Sequence, residues 1–306
     1  RPLLASSRSE LEAYAQHHAL VWIEDPSNAE LCFDRNYLRR EIMPRLEERW
    51  PGVNDTFSRA AELNQETVAL LEELAEQDFH AVGVERDQGL CQTQPSQKLL
   101  CQKQLRQMTG PRINNLLRYW LSQSGRPLPS RVNLMRIYQE LVLADVSGVA
   151  VVEWAGAEVR VFDGRLYCMA NLGEVPAIGS RLIWSSANAS EQFDCGSQMG
   201  MLSSRLTLGQ GLNVQMFEDA RKQGVLTVKW REGGERCQPD GRPHSQLLKK
   251  LLQEYRVPPW LRSRLPMVCI GETLVAVPGL WVCKGFSVGP GEEGRSLYWQ
   301  SAINGS

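Results

Sequence analysis

The stretch that decides the fold is residues 149–169, VAVVEWAGAEVRVFDGRLYCM. Apolar and polar side chains alternate along it in short runs, which is the pattern of half-buried strands. The runs are joined by Ala155-Gly156 and Asp163-Gly164, dipeptides that favour tight hairpin turns. The stretch therefore predicts an antiparallel meander of three strands: Val149 to Trp154, Glu158 to Phe162 and Arg165 to Met169.

Upstream of Ser147-Gly148 the apolar period is close to 3.6 residues, which predicts helices. Ser7-x-x-Glu10 is a capping-box pattern, Pro44 is expected to kink the second helix, and Pro129-Ser130 marks the start of the last. Leu20 to Ile23 alternates like a strand. The predicted helices are Arg8 to His18, a stretch from Arg35 that carries Leu38, Ile42 and Leu46, Asn54 to His80, Ile113 to Ser122, and Arg131 to Leu143.

Downstream of the meander, the Ser-, Gly- and Asn-rich stretch from Asn171 to Gln210 predicts loops and edge strands. A last compact unit begins near Val225. It is predicted to contain a strand (Leu226 to Arg231), a loop (Glu232 to His244), a helix (Ser245 to Tyr255) and strands around Gly271-Glu272 and Gly279. The predicted fold class is α+β and multidomain, with a helical middle domain (51–147), a β-rich extension and linker (148–223) and a small mixed α/β C-terminal domain (224–306).

Composition narrows the classes of function. Hydrophobic residues make up 42% and charged residues 23% of the chain, as in ordinary globular proteins. No apolar run approaches the roughly 20 residues that span a bilayer, and no signal peptide heads the chain. The eight cysteines contain no C-x-x-C pair and the four histidines have no spaced ligand partners. No metal site is therefore predicted, and a reduced, cytoplasmic chain without a membrane partner is expected.

Positive charge is concentrated in one segment of a chain whose net charge is −1. Between Lys229 and Arg264, nine Lys and Arg face four acids, a local balance of +5. Such a segment can bind phosphate locally, or it can be a solvated basic helix face. Charge alone leaves both interpretations open.

Two polar constellations could carry chemistry. Asp25-Pro26-Ser27-Asn28 precedes a helix on which Arg35 and Arg39 lie four residues apart, on one face beside Asn36. Two guanidinium groups and an amide can grip a phosphate or a carboxylate. The alternative is an N-terminal cap followed by surface Arg–Glu pairs.

The second constellation is the Gly-rich loop 232–244 and the predicted helix behind it. Gly233-Gly234 allows close backbone approach, Ser245 could cap the helix, and a helix N-terminus attracts phosphate, with Lys249 and Lys250 near by. The alternative is a hairpin beside an ordinary amphipathic helix. Further along, Pro258-Pro259 stiffens the approach to Trp260, which could stack a base or be a buried structural side chain.

The sequence around these residues resembles that of bacterial tRNA(Ile)-lysidine synthetases in two places. The first matching region is similar to the end of their catalytic domain, and the opening residues Arg1-Pro2-Leu3-Leu4 look like the middle of that domain. The second match lies in the C-terminal unit. The first comprises residues 22–28 (WIEDPSN), Asp34-Arg35-Asn36-x-x-Arg39 and Pro44-x-Leu46; the second comprises 228–231 (VKWR), Gly233-Gly234, Gly241-Arg242, 248–250 (LKK), 257–262 (VPPWLR) and 278–281 (PGLW).

The resemblance implies a specific reaction. Such enzymes use ATP with Mg to adenylate C2 of the wobble cytidine in an isoleucine tRNA with a CAU anticodon. The amine of free lysine then displaces AMP to leave lysidine, which pairs with A instead of G. The family has an N-terminal PP-loop ATP-binding domain, a helical tRNA-binding domain and a small C-terminal domain that engages the acceptor end. A homodimer is left open.

One departure from the family is large, because its S-G-G-x-D-S loop occurs nowhere in the sequence. The resemblance thus implies that residues 1–50 are the C-terminal remnant of the PP-loop domain with its linker. It implies no catalytic residue in this chain, no tightly bound cofactor, and tRNA binding without catalysis. A non-catalytic RNA-binding module is the alternative. Carried over by resemblance are Asp25, Ser27, Asn28, Arg35, Asn36 and Arg39 as a wall of the reaction pocket, and Arg231, Arg236, Arg242, Lys249, Lys250, Trp260 and Arg262 as tRNA contacts.

Overall fold

A computed structural model describes residues 3, 6–23, 25–84, 99–145, 150–185, 191–196 and 199–301. The chain divides into two compact units, Arg1–Leu70 and Leu71–Ser306. The expected features at Arg1-Pro2, Leu4, Glu24 and Ser147-Gly148 lie outside the described residues.

The first unit is helical among its described residues. Helix α1, Arg8–His17, begins with the predicted capping box: the Ser7 hydroxyl accepts from the backbone N–H of Glu10, and the Glu10 carboxylate accepts from the backbone N–H of Ser7. The strand predicted over Leu20 to Ile23 is wrong. Those residues pair with no strand in the part of the chain that the structure describes, and the side chains of Val21 and Ile23 are 98% and 95% exposed. Alternation alone does not make a strand where no partner supplies a hydrogen-bonding ladder.

Residues 34–49 are helical throughout, as predicted, but the helix is irregular before Pro44. Helices α2, Asp34–Tyr37, and α3, Met43–Arg49, flank a π-helical segment, Leu38–Ile42. Proline has no N–H and its ring clashes with the carbonyl four residues back. A π-turn is one way in which a helix accommodates that clash.

Helix α4, Val53–Val82, confirms the long helix predicted from the apolar period. In the second unit it is followed by a mixed layer of helices and strands. This layer consists of β1, Gly83–Val84; β2, Leu99–Cys101; α5, Gln102–Leu105; α6, Gly110–Ser122; α7, Arg131–Arg136, which continues as a π-helical segment, Ile137–Leu143; β3, Val151–Trp154; β4, Ala157–Phe162; and β5, Arg165–Met169.

The predicted meander is confirmed, and it is extended by two strands in the order β1-β2-β5-β4-β3, all antiparallel. At the second turn, Asp163 and Gly164 both have positive φ, 51° and 68°, as the mirror-image hairpin turns require. Trp120, Ile137 and Leu141 from the helices share one hydrophobic core with Val159 and Leu166 from the strands. The four-part domain division stays a prediction, and the structure adds that segments on both sides of residue 147 share this core.

The rest of the second unit is sheet-rich, which confirms the α+β class. Its elements are β6, Arg181–Ile183; β7, Gln192–Asp194; β8, Met201–Leu208; β9, Leu212–Asn213; α8, Val214–Lys222; β10, Leu226–Lys229; β11, Arg236–Cys237; β12, Gln246–Leu247; α9, Leu248–Glu254; α10, Pro259–Arg262; β13, Met267–Ile270; β14, Thr273–Val277; β15, Trp281–Val282; and β16, Glu293–Gln300. A five-stranded sheet has the order β15-β14-β13-β10-β6, a four-stranded sheet has the order β7-β8-β16-β9, and β11 pairs with β12.

The expectation of only loops and edge strands over Asn171 to Gln210 is wrong for β8. This strand lies between β7 and β16 and pairs with β16 along all eight of its residues. Beside it, Gly211 has a φ of +102°, and a Cβ there would lie 2.5 Å from the carbonyl of Arg295 on β16. Only glycine fits both conditions.

Candidate nucleic-acid interface

The Asp25 turn is a hydrogen-bonded structure within the first unit. A 3-10 helix, Pro26–Ala29, follows Asp25, whose carboxylate accepts from the backbone N–H of Ser27 at 2.9 Å. Hydrogen bonds from the backbone and then the side chain of Ser27 lower the pKa of Asp25. The amide of Asn36 on α2 donates to the carbonyls of Ser27 and Glu30, each at 2.9 Å. Three of the six residues predicted for a pocket wall are thus brought together.

Arg35 and Arg39 are exposed on the helical stretch that follows this turn. Over the described residues neither guanidinium forms an ion pair, whereas the neighbouring Arg45 pairs with Glu41 at 3.4 Å. The alternative of surface Arg–Glu pairs is therefore realised at Arg45 and not at these two side chains. Their role in a pocket wall, like that of the exposed Asn28, stays a prediction.

In the second unit, the β11–β12 ladder sets Arg236 beside the start of α9. Arg236 lies opposite Leu247, two residues before Lys249, and the backbone N–H of Leu248 donates to the carbonyl of Glu235 at 2.8 Å. Lys249 and Lys250 are exposed on the first turn of α9. Three predicted tRNA contacts, Arg236, Lys249 and Lys250, therefore belong to one end of this unit, which we call the α9 end.

The predicted helix start at Ser245 is wrong. Residues 246 and 247 are taken up by β12, so α9 begins at Leu248, and its N-cap residue Leu247 makes no side-chain capping hydrogen bond. The Ser245 carbonyl instead accepts from Arg236 at 3.0 Å. A phosphate site built on a Ser245-capped helix N-terminus is thus not present, and the positive charge of the α9 end comes from its side chains.

Three further predicted contacts already have intramolecular partners. Arg242 pairs with Glu254 of α9 at 3.0 Å, and Arg231 lies 3.7 Å from Glu235. Arg262 donates to the carbonyl of Val257 at 2.8 Å, and its pKa is lowered by burial and then by the positive charge of Arg231. These side chains hold the loop and α10 in place, so their charge is partly used within the fold.

Trp260 is buried, with 7% of its surface exposed. Its ring makes edge-to-face contacts with Phe162 and Tyr167, at centroid distances of 6.0 and 5.4 Å, and the Arg160 guanidinium lies 5.6 Å from its centroid. The expectation that Trp260 stacks a base is corrected here, because neighbouring side chains already occupy the space around its ring. Of its two sequence-based interpretations, the geometry supports the structural one.

A cleft of about 570 Å³ lies beside the α9 end and was not predicted. Its floor is one face of the five-stranded sheet, where Arg181 and Met267 flank Lys229 on neighbouring strands. Glu272 pairs with Lys229 at 2.5 Å and with Arg181 at 2.9 Å, and both interactions lower the pKa of Glu272. Arg236 and Lys284 also line the cleft, as do Glu232 and Glu235. Where the chain is described, neither of these two cations forms an ion pair, whereas Glu235 lies 3.7 Å from Arg231.

Only one of the cations that line this cleft, Lys229, could have been recognised as solvent-facing from the sequence. Lys229 ends an apolar strand, and a charge in that position indicates a solvent-facing strand end. Its neighbour Arg181 lies in β6, an edge strand inside the stretch predicted as loops and edge strands. Lys284 follows β15, the strand at the opposite edge of the sheet. Their proximity depends on strand order, which local pattern does not give.

Two kinds of feature are absent from the described residues: a cluster of metal ligands and a membrane-spanning helix. No group of three or more His, Cys, Asp or Glu side chains there is arranged to hold a metal ion. No described helix is long and apolar enough to cross a membrane.

Comparison with known proteins gives matches along most of the chain. Three family models match in sequence order: a PP-loop domain over residues 1–46, the TilS substrate binding domain over 100–167 and the TilS substrate C-terminal domain over 226–299. The tRNA(Ile)-lysidine synthase of Coxiella burnetii is 36% identical over 293 residues, which cover 96% of this chain. The chain is therefore similar to tRNA(Ile)-lysidine synthases over nearly its whole length.

Other tRNA(Ile)-lysidine synthases match at similar levels. Those of Methylococcus capsulatus and Shigella flexneri are each 33% identical, over 98% and 99% of this chain. The chain spans 60%, 64% and 65% of the length of the three relatives named here. A solved structure described as the crystal structure of TILS C-terminal domain aligns with 33% of this chain and 83% of its own, at 21% identity and a TM-score of 0.25.

Proposed function

We propose that this chain is the tRNA-binding part of a tRNA(Ile)-lysidine synthase. The observation that carries the proposal is the match to such synthases over 96–99% of the chain at 33–36% identity. The α9 end supports it independently, because Arg236, Lys249 and Lys250 present positive charge at one place on a chain whose net charge is −1. Clustered cations on an otherwise neutral protein are suited to phosphate contacts.

The reaction proposed for the whole enzyme is lysidine formation in the cytoplasm. The substrates are an isoleucine tRNA with a CAU anticodon, free lysine, and ATP with Mg, and the new C–N bond joins lysine to C2 of the wobble cytidine. The PP-loop match over residues 1–46 supports the use of ATP.

Within this chain the residues divide into two proposed roles. Asp25, Ser27, Asn28, Arg35, Asn36 and Arg39 form one wall of the reaction pocket, a role supported by the hydrogen-bonded Asp25 turn and by the exposure of both arginines. Arg236, Lys249 and Lys250 contact tRNA phosphates directly. Arg231, Arg242 and Arg262 contribute long-range positive charge while they hold the loop and α10 through their own partners.

These 306 residues by themselves are proposed to bind tRNA without forming lysidine, because the S-G-G-x-D-S loop that would cradle ATP phosphates is not among them. The test is an electrophoretic mobility titration of the chain with CAU-anticodon isoleucine tRNA, beside an assay for lysine incorporation with ATP and Mg.

With about three phosphate contacts, the affinity should fall about 30-fold between about 50 and about 200 mM monovalent salt. No binding, or binding that does not respond to salt, would contradict the proposed contacts. Lysine incorporation by these residues alone would contradict the second part of the proposal.

A further inference from the structure

Three thiols line the cleft beside the α9 end, those of Cys237, Cys269 and Cys283. They come from separate stretches of the chain: β11, β13 and the residue after β15. The Cys237 and Cys283 side chains line the same cleft, and each is the largest influence on the pKa of the other. The sequence gives no hint of this pair, because 45 residues separate the two cysteines and no C-x-x-C motif is present.

The backbone explains why the two sulfurs meet. Pro239 lies opposite Cys283 in an antiparallel bridge. This bridge is flanked by the bonds from Asp240 N–H to Val282 O at 2.9 Å and from Lys284 N–H to Gln238 O at 2.8 Å. Because side chains alternate between faces along a strand, Cys237 lies on the same face as Pro239 and therefore on the side of Cys283. Backbone hydrogen bonds, rather than flexible side chains, thus hold the thiols together.

The two thiols differ in their readiness to ionise. Interaction with the Cys283 side chain lowers the pKa of Cys237, whereas interaction with Cys237 and then burial raise the pKa of Cys283. Burial raises the pKa of Cys269 to about 11 in the same cleft, and that of Cys195 to about 12 elsewhere in the unit. Thiolates are the reactive form of cysteine, and we assign the first attack to the Cys237 sulfur and the second to that of Cys283.

We propose that Cys237 and Cys283 are a reversible disulfide-forming site, open through the cleft to hydrogen peroxide. The Cys237 thiolate attacks one peroxide oxygen, the O–O bond breaks, and a sulfenic acid forms while the leaving hydroxide is protonated to water. The sulfur of Cys283 then attacks that of Cys237, the S–O bond breaks, and the oxygen leaves as water with the Cys283 proton. Two thiols lose two electrons in all, and one peroxide becomes two waters.

The disulfide would join the wall of the cleft to its floor. Cys237 is next to Arg236, and Cys283 is next to Lys284, the two cleft cations that form no ion pair over the described residues. A covalent link between their neighbours fixes the spacing of these cations. The cross-link also restrains the unfolded chain, so the oxidised protein should melt several degrees higher than the reduced protein.

The experiment treats the reduced chain, in a Cys32→Ser background that removes an exposed thiol, with a slight excess of hydrogen peroxide. Intact mass is expected to fall by two hydrogen atoms and to return on treatment with dithiothreitol. Peptide mapping is expected to join Cys237 to Cys283; cleavage after Glu272 separates Cys283 from Cys269, which otherwise share a tryptic peptide.

Cys237→Ser and Cys283→Ser are each expected to abolish the mass loss, and Cys195→Ala, a control of matched burial outside the cleft, is expected to retain it. A disulfide that contains Cys269, or oxidation to sulfinic acid without a disulfide, would overturn the proposal. If the serine variants do not fold, the chain that keeps both thiols is treated with phenylarsine oxide, which bridges two adjacent thiols. One arsenic bound across Cys237 and Cys283 supports the pair, and no adduct there refutes it.

Discussion

Replacing Trp260 with alanine separates a structural role from an RNA-contacting one. In the structure the indole is 7% exposed and packs on Phe162, Tyr167 and Arg160 from the meander. A buried tryptophan removes about 200 Å² from water, which corresponds to about 5 kcal/mol at about 25 cal/mol per Å². Trp→Ala substitutions in cores cost about 3–5 kcal/mol. We therefore expect Trp260→Ala to lower the free energy of unfolding by about 4 kcal/mol.

The assay is thermal unfolding followed by circular dichroism, with tRNA affinity measured well below the transition. In a unit of this size about 4 kcal/mol lowers the Tm by about 10 °C. Trp260→Phe, which keeps one aromatic ring, should cost only about 1 kcal/mol. The tRNA affinity of folded Trp260→Ala should stay within about twofold of the parent. A Tm change below about 2 °C, together with an affinity loss of about tenfold or more, would refute the reasoning and restore Trp260 as a base contact.

Three further changes test separate parts of the structure. Gly211→Ala combines a positive φ with a backbone clash, so it should lower the free energy of unfolding, measured by urea denaturation, by about 3 kcal/mol. Gly224 also has a positive φ but has open space around it, so the control Gly224→Ala should lower the same free energy by about 1 kcal/mol. Asn36→Ala removes two hydrogen bonds from the Asp25 turn, so limited proteolysis of that turn should be about tenfold faster. Asn28 is exposed in the same turn, and the control Asn28→Ala should leave the rate of proteolysis unchanged. Folding lowers the pKa of Glu272. The Glu272 carboxylate therefore stabilises the protein at pH values above its unfolded pKa, and this stabilisation is lost as the pH falls through its folded pKa. The Tm difference between the parent and Glu272→Gln should accordingly be constant near neutral pH and vanish in acid.

Local signals predicted the elements that depend on local physics. The 3.6-residue apolar period predicts α4 to within two residues at each end. Asp163-Gly164 predicts a hairpin because its turn needs positive φ at both residues. Glycine adopts a positive φ freely, and aspartate does so more readily than most residues. The capping box at Ser7 is likewise a contact between residues three apart.

The elements that were missed depend on partners distant in sequence. Strand β8 is central only because β16, about 90 residues later, pairs with it. The start of α9 moves from Ser245 to Leu248 because β11 takes residues 246 and 247 into a ladder. Trp260 is buried by strands about 100 residues earlier, and the cleft joins Arg181, Arg236 and Lys284 through strand order. No short window of sequence contains those contacts.

The central claim is that side chains of the α9 end bind tRNA phosphates, and the salt dependence of tRNA binding tests it most directly. The measurement compares Lys249→Ala/Lys250→Ala with Lys103→Ala/Lys222→Ala, a control that removes the same charge from two exposed lysines outside this end. The first variant is expected to bind isoleucine tRNA about fivefold more weakly, or about 1 kcal/mol, with a slope of log affinity against log salt shallower by about 2. The control should keep the parent slope. Equal affinity and equal slope for both variants would contradict the account.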